Sequence, residues 1–248
     1  MCGFAGFLLP SCSSPEDEMR EIVSRMADTL RHRGPDDRGD WTDASAGVAL
    51  GFRRLAIVDL SPNGHQPMVS ASGRFVVAFN GEVYNHGALR KQLENGVGDE
   101  AIHFRGHSDT EVMLAAFETW GVAASLARLV GMFALAVWDR QERQLYLSRD
   151  RIGEKPLYYG WIGSTFLFGS ELKALRKHPQ FRPTIRRETL KPYLRHGYIP
   201  TPCSIYEGIF KLVPGTFLVL KAPRPHVLPA RCLTGLPKPP SRQARRIP

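Results

Sequence analysis

Met1-Cys2-Gly3-Phe4-Ala5-Gly6-Phe7-Leu8-Leu9 opens the chain with a thiol followed by a short apolar run that reads as a first strand. The small second residue permits removal of the initiator methionine, which would place a thiol and a free α-amine on one carbon. A thiol near pKa ~8.5 beside an amine near ~7.7–8.0 has its own base. The amine can take the thiol proton, directly or through a water, and later return it to a leaving group. The competing reading of Cys2 is a small residue without chemistry, and this stretch alone does not choose between the two.

Length and composition narrow the field. The chain has 248 residues, 43% of them hydrophobic, enough for one large domain or two small ones. No apolar run approaches the ~18 residues of a membrane span, so no membrane partner is expected. The first basic residue is Arg20, so the charged start of a secretory signal is missing and a cytoplasmic location is expected. Cys2, Cys12, Cys203 and Cys232 form no C-x-x-C pair and have no His-rich spacing, which points to neither a metal site nor a disulfide framework. The net charge of +9 would suggest a nucleic-acid partner, but seven of the basic residues lie from Lys221 onward with no acid among them. The preceding chain carries only +2, so no nucleic-acid partner is expected. The stretch 221–248 is basic and Pro-rich, and it is expected to be disordered.

Along the chain, Ser14-Pro15-Glu16 predicts a helix start with Ser14 as cap, and Met19, Ile22, Val23, Met26 and Leu30 recur at helical spacing. That helix is expected to end at Arg33-Gly34-Pro35-Asp36. Strands are predicted over Ala46–Leu50, Leu55–Val58 and Phe75–Phe79, the last buried on both faces and stopping at Asn80-Gly81-Glu82. Helices follow over His86–Leu93, over Thr110–Trp120 with Asp109 at the cap, and over Ala123–Leu129. Met132–Trp138 with Leu145–Ser148, and Leu157–Trp161 with Thr165–Phe168, read as hairpins, and Glu171–Lys177 as a further helix. Strands, then helices, then strands suggest an α+β domain with two sheets packed face to face and helices outside.

Seven stretches then carry a resemblance: Met1-Cys2-Gly3, Arg31-His32-Arg33-Gly34-Pro35-Asp36, Arg54-Leu55-Ala56-Ile57-Val58-Asp59, Asn80-Gly81-Glu82-Val83-Tyr84-Asn85-His86, Ser108-Asp109-Thr110-Glu111-Val112, Gly131-Met132-Phe133-Ala134 and Arg149-Asp150-Arg151-Ile152-Gly153. Together they resemble the N-terminal glutaminase domain of the asparagine synthetases, which are class II glutamine amidotransferases. The resemblance runs to about Leu220. It implies the four-layer αββα sandwich of two antiparallel sheets that characterises N-terminal-nucleophile hydrolases. It also implies a glutamine amidotransferase domain over 1–180, a structured lead-in over 181–220 and the tail over 221–248.

The same resemblance implies the site. Cys2 is the nucleophile, and Asn80 with Gly81 forms the oxyanion hole, against the alternative that an Asn-Gly pair is a tight turn. Arg54 holds the glutamine carboxylate, with Leu55, Ala56, Ile57 and Val58 supplying further contacts, and the neighbouring Arg53 is its confounder. Glu82 and Asp109 are the candidate anions for the substrate ammonium. Arg31, His32 and Arg33 invite a catalytic histidine, which carries little weight where an amine supplies the base and a basic helix end suits the macrodipole. Trp41, Trp120, Trp138 and Trp161 read as core or rim.

The implied reaction is hydrolysis of L-glutamine to glutamate and ammonia through a Cys thioester. The implied partner is a synthetase domain or subunit that receives the ammonia, and a homodimer is compatible. No cofactor is expected in this chain, because ATP and Mg²⁺ belong to the synthetase part, whose Ser-Gly-Gly-x-Asp-Ser loop is absent from the sequence. After Leu220 the likeness stops in mid-strand, which favours a shifted frame or misassigned gene end over a genuine tail. Two rivals stand beside this reading: a non-catalytic interaction module, and a glutaminase feeding another acceptor such as a surface polysaccharide.

Overall fold

The computed structural model describes residues 1–9, 14–57, 60–96, 102 and 104–222, together with the backbone of 226–232. In chain order its elements are β1 (Gly3–Leu8), α1 (Glu16–Asp28), β2 (Asp37–Asp43), β3 (Val48–Arg54), β4 (Met68–Val69), β5 (Phe75–Val83), α2 (His86–Asn95), α3 (Asp109–Trp120) and α4 (Val122–Arg128). Then follow β6 (Gly131–Asp139), β7 (Gln144–Arg149), β8 (Tyr158–Ile162), β9 (Thr165–Gly169), α5 (Leu172–Leu175), α6 (Leu190–His196), β10 (Ile209–Lys211), β11 (Thr216–Lys221) and β12 (His226–Cys232).

Two six-stranded antiparallel sheets result, ordered β10-β8-β9-β1-β3-β2 and β12-β11-β7-β6-β5-β4. Period-two alternation assigns each strand's side chains to layers. Phe4 and Leu8 of β1, Phe52 of β3, Val76 and Ala78 of β5, Trp138 of β6 and Phe168 of β9 meet in an apolar seam between the sheets. Ala5 and Phe7 point the other way, onto Met19, Val23 and Met26 of α1. Phe75, Val77 and Phe79 point onto Val112, Met113 and Phe117 of α3 and Leu126 of α4. Helix, sheet, sheet and helix therefore stack in four layers, as expected, and β5 is buried on both faces.

Several boundaries differ from the sequence reading. β5 does not stop at Asn80 but pairs through Val83 with Gly131, because β6 supplies partners for every residue of the Asn-Gly-Glu stretch. Leu55 to Ile57 leave the sheet, so the strand there ends at Arg54, and Ile57 is 68% exposed. Val58 lies outside the described residues. β2 was not anticipated. Helix α1 is capped at Pro15 without a side-chain bond from Ser14, and Ser108 rather than Asp109 caps α3, its Oγ accepting from Glu111 N–H at 3.2 Å. α5 is shorter than the helix read over 171–177.

The later chain is also more integrated than expected. β10 and β11 complete both sheets, so no break in packing falls at residue 180. Residues 226–232, assigned to a disordered tail, pair antiparallel with β11; this stretch, His226-Val227-Leu228-Pro229-Ala230-Arg231-Cys232, is mostly apolar and holds only Arg231 of the tail's seven basic residues, and the open edge of β11 offers it backbone partners. The rest of that tail, from residue 233, lies outside the described residues.

Near the edge of the outer layer, His178 is 4% exposed and packs edge-on against Phe7, ring centroids 5.0 Å apart. Gln180 N–H donates to its Nδ1 at 3.3 Å, and its Nε2 finds no partner among the described residues. Burial pulls its pKa down to about 4. The unfolded chain therefore binds a proton here that the fold excludes, and stability falls as pH drops through the window from ~6.5 to about 4. Thermal melts of the His178→Phe variant should lose less midpoint than the parent across that window; equal slopes would show that His178 contributes nothing to acid sensitivity.

Candidate functional site

The site forms where the head of β1 meets the far end of β5. Cys2 shares the seam-facing side of its strand with Phe4, packs against the seam cluster and is partly buried. Its sulfur accepts from Leu55 N–H at 3.3 Å, and the thiol lies 3.5 Å from the Leu55 carbonyl oxygen. Burial raises the thiol pKa; the Leu55 bond, the terminal amine and Arg54 oppose that shift, and Asp109 adds to it. Arg54 and Asp109 are thus close enough for their charges to act on the thiol.

Arg54 and Arg53 diverge. Arg53 turns outward to Asp28 at 2.7 Å, whereas Arg54 is 8% exposed and donates to the Ser61 carbonyl at 3.0 Å. Gly64 makes this possible, since a Cβ there would overlap the guanidinium. The residues after Arg54 are tied down by Asp36, whose carboxylate accepts from Ala56 N–H at 2.9 Å and whose own N–H reaches the Arg54 carbonyl at 3.1 Å.

β5 brings the polar groups. Asn80 lies on the seam side with Val76 and Ala78, is 1% exposed, and its Nδ2 has no hydrogen-bond partner among the described residues. Leaving a buried donor unmade costs about 1–3 kcal/mol. Phe133, opposite Gly81, spends both its backbone groups on Asp150, its carbonyl accepting at 2.8 Å and its N–H donating at 3.2 Å. In an antiparallel ladder that makes Gly81 and Phe133 a non-hydrogen-bonded pair, so the Gly81 N–H points away from β6. Its neighbours of the same parity point the same way: Phe79 N–H donates to Gln66 Oε1 at 2.7 Å, and Val83 N–H to Asp109 Oδ2 at 2.8 Å. Gly81 sits between them at the sheet edge. A Cβ on Gly81 would also strike the Met132 carbonyl and the Phe133 backbone, so glycine is needed for close approach of β6 rather than for a turn.

Asp109, 7% exposed in the first turn of α3, has its pKa raised by burial and by Glu82, against the Val83 amide, His86 and the Thr110 amide. Glu82 is half-buried at the mouth, and Ile57 stands in solvent. Leu55 and Arg54 thus stand by Cys2, and Asp109 joins the end of β5 that carries Asn80, Gly81 and Glu82, while Ala56 and Ile57 line only the loop and Val58 is not described.

Two residues were undervalued in the sequence. Arg33 donates through Nε to the Cys2 carbonyl at 2.9 Å and pairs with Glu171 at 2.8 Å, while His32 turns to Glu171 at 3.0 Å. Gln66 braces β5 through Phe79, as above. The signal for Arg33 was its place in Arg-His-Arg-Gly-Pro-Asp; a lone glutamine offers none. Among the described residues no group of His, Cys, Asp and Glu could hold a metal, and no helix is long and apolar enough to cross a membrane.

Comparison with known proteins places this geometry. The family described as "Glutamine amidotransferase domain" matches residues 1–227. Asparagine synthetase [glutamine-hydrolyzing] 1 of Bacillus subtilis is 35% identical over 221 residues, covering 89% of this chain and 34% of that protein. A putative asparagine synthetase [glutamine-hydrolyzing] of Mycobacterium tuberculosis is 35% identical over 235 residues, covering 90% and 35%. The chain therefore spans about a third of the length of the curated relatives it matches. In fold it matches the glutamine phosphoribosylpyrophosphate amidotransferase of B. subtilis with a TM-score of 0.64 at 19% identity, over 94% of this chain and 50% of that one. A structure of the allosteric regulatory enzyme of purine biosynthesis gives 0.65 at 21%, over 94% and 49%. The match over residues 1–227, together with relatives 35% identical over about nine tenths of the chain and the two-sheet sandwich, makes the chain a member of the glutamine amidotransferase family.

Proposed function

We propose that the chain hydrolyses the side-chain amide of L-glutamine, with Cys2 as nucleophile once Met1 is removed. The observation that carries this reading is the buried Asn80 amide, a donor without an acceptor among the described residues, on the same seam as the Cys2 sulfur. In the proposed reaction the Cys2 amine takes the thiol proton, the sulfur attacks the amide carbon, and the negative charge on the former carbonyl oxygen is met by Asn80 Nδ2 and the Gly81 N–H. The amine then protonates the departing nitrogen, ammonia leaves, and water cleaves the γ-glutamyl thioester to glutamate and the free thiol. Arg54 takes the substrate carboxylate, and Asp109 with Glu82 takes its ammonium. Asp109 gains most from this, because a buried carboxylate raised by desolvation is stabilised by an incoming cation.

Ammonia passes in this reading to a synthetase domain or subunit, the unit that would bind ATP and Mg²⁺. The relatives named asparagine synthetase support aspartate as the acceptor. A reduced Cys2 nucleophile suits the cytoplasm.

Intact mass should be lower by one methionine, and activity with Met1 retained would rule out the terminal-amine mechanism. Cys2→Ala should abolish glutamine hydrolysis with little change in melting temperature; full activity in that variant would end the catalytic reading.

Steady-state kinetics separate the remaining roles. Arg54→Ala should raise KM strongly and Arg53→Ala far less, since Arg53 faces Asp28. Asn80→Ala should lower kcat by about 10²–10³ with a smaller effect on KM. Equal effects of the two arginines would show that the carboxylate lies elsewhere.

A further inference from the structure

The head of β1 is tied to the turn between β9 and α5 by more than strand pairing. Phe4 N–H donates to Ser170 Oγ at 3.1 Å, and Ser170 N–H returns a bond to the Phe4 carbonyl at 2.8 Å. Nearer the terminus, the Cys2 carbonyl accepts from Arg33 Nε at 2.9 Å. Gly3 leaves the room for that contact, since a Cβ on it would lie 3.0 Å from Arg33 Cδ. The same guanidinium then reaches Glu171 at 2.8 Å. Ser170 thus holds Phe4 directly, and the next residue, Glu171, holds Cys2 through Arg33.

We propose that Glu171 is a positioning residue for the nucleophile: by fixing the Arg33 guanidinium it fixes the Cys2 carbonyl, and with it the direction in which the thiol leaves the strand. The kinetic consequence rests on the function proposed above. Once Met1 is lost, Cys2 is joined to the chain through its carbonyl side alone, and rotation about its Cα–C bond decides where thiol and amine lie. Among the described residues two bonds oppose that rotation, Leu55 N–H to the sulfur at 3.3 Å and Arg33 Nε to the carbonyl. Sulfur is a weak acceptor, so the carbonyl is the firmer anchor. A misplacement of about 1 Å at a reacting centre can cost roughly 10²-fold in rate.

Arg33 depends on Glu171 more than the other cations there do. Its side chain is 9% exposed, so loss of the carboxylate would leave a desolvated charge unpaired. His32 Nε2 at 3.0 Å and Lys173 Nζ at 3.2 Å share that carboxylate, but both side chains are about half exposed and have water to turn to. Burial pushes the Glu171 carboxyl up; the bonds from Arg33, His32 and Lys173 outweigh it and hold the group below its usual range, so it stays ionised.

The test uses the full chain with Met1 removed. Glu171→Ala should lower kcat for glutamine by about 10- to 100-fold and leave KM within about twofold, because Arg54, Asp109 and Glu82 are untouched. A double-mutant cycle gives a reading that general damage would not: with Arg33→Ala already in place, adding Glu171→Ala should cost little more. Losses that multiply overturn the proposal, as does a raised KM with unchanged kcat, which would make Glu171 part of the substrate pocket. A second readout needs no glutaminase activity: alkylation by iodoacetamide, followed at the Cys2 peptide by mass spectrometry with Cys203 as internal reference. Released from its anchor, Cys2 should react several-fold faster in Glu171→Ala and in Arg33→Ala than in the parent, with Cys203 unchanged; an unchanged Cys2 rate overturns the proposal. If Glu171→Ala does not fold, Glu171→Gln, which keeps the shape and loses the charge, should move both readouts in the same directions, and parent-like values there overturn the proposal. A parent that hydrolyses no glutamine while the variant still frees the Cys2 thiol would sink the proposed function and leave the positioning claim standing.

Discussion

The apolar seam between the two sheets is the constraint on which the rest depends. Phe4, Phe52, Val76, Ala78, Trp138 and Phe168 are fully buried in it, and each belongs to a strand that must also satisfy an outer layer. Because side chains alternate, the register that sends Phe4 inward also sends Cys2 inward, and the one that sends Ala78 inward does the same for Asn80. A slip of one residue in either strand would expose the seam and turn the thiol or the amide away from the site. The position of the chemistry is therefore fixed by apolar burial, at roughly 1.5–3 kcal/mol for each large side chain. Against that, one unpartnered amide at Asn80 is tolerable.

Carboxylates do for the loops what the seam does for the strands. Asp150 gathers five amides from the β7–β8 connection and β6, and Gly153 takes the left-handed φ of +79° that the turn requires. Arg149 then binds the carbonyls of Lys155, Leu212 and Gly153, tying the same connection to the segment between β10 and β11. Arg151 reaches Leu129 and Ala127 at the end of α4. The Arg-Asp-Arg-Ile-Gly motif is thus a clamp on backbone. Its consequence for the site is indirect, through the Phe133 groups that Asp150 withdraws from the β5–β6 ladder.

Much of this was legible in the sequence where one pattern dominated. Phe75 to Phe79 had no polar residue to confuse its reading, and α1 showed its buried stripe plainly. β2 escaped because Asp37-Arg38-Gly39-Asp40-Trp41-Thr42-Asp43 is an edge strand with a single large apolar residue, and its pairing with β3 is a backbone matter. Asn80-Gly81 looked like a stop because local turn preference is all a sequence shows; the ladder with Met132, Phe133 and Ala134 overrides it. Leu55 to Ile57 looked like strand because they are apolar, yet their place is a loop over the thiol. The candidate site residues came from motifs, but nothing in their spacing could show that the Gly81 N–H leaves the ladder or that Arg53 and Arg54 face opposite ways.

The burial that organises the seam also sets the terms of the proposed chemistry. It raises the Cys2 thiol, so the nucleophile is held as thiol rather than thiolate at neutral pH. A resting thiol is a poor nucleophile, but it is also shielded from oxidation and from attack on anything but a bound substrate. The proton must then leave at the moment of attack, to a base within a bond or one water of the sulfur. An amine on the same carbon satisfies that geometry without any further side chain, and it can serve only if it is itself unprotonated. Burying the thiol therefore moves the electrostatic problem from the nucleophile to the base, and the charges around the N-terminus decide whether that base is free.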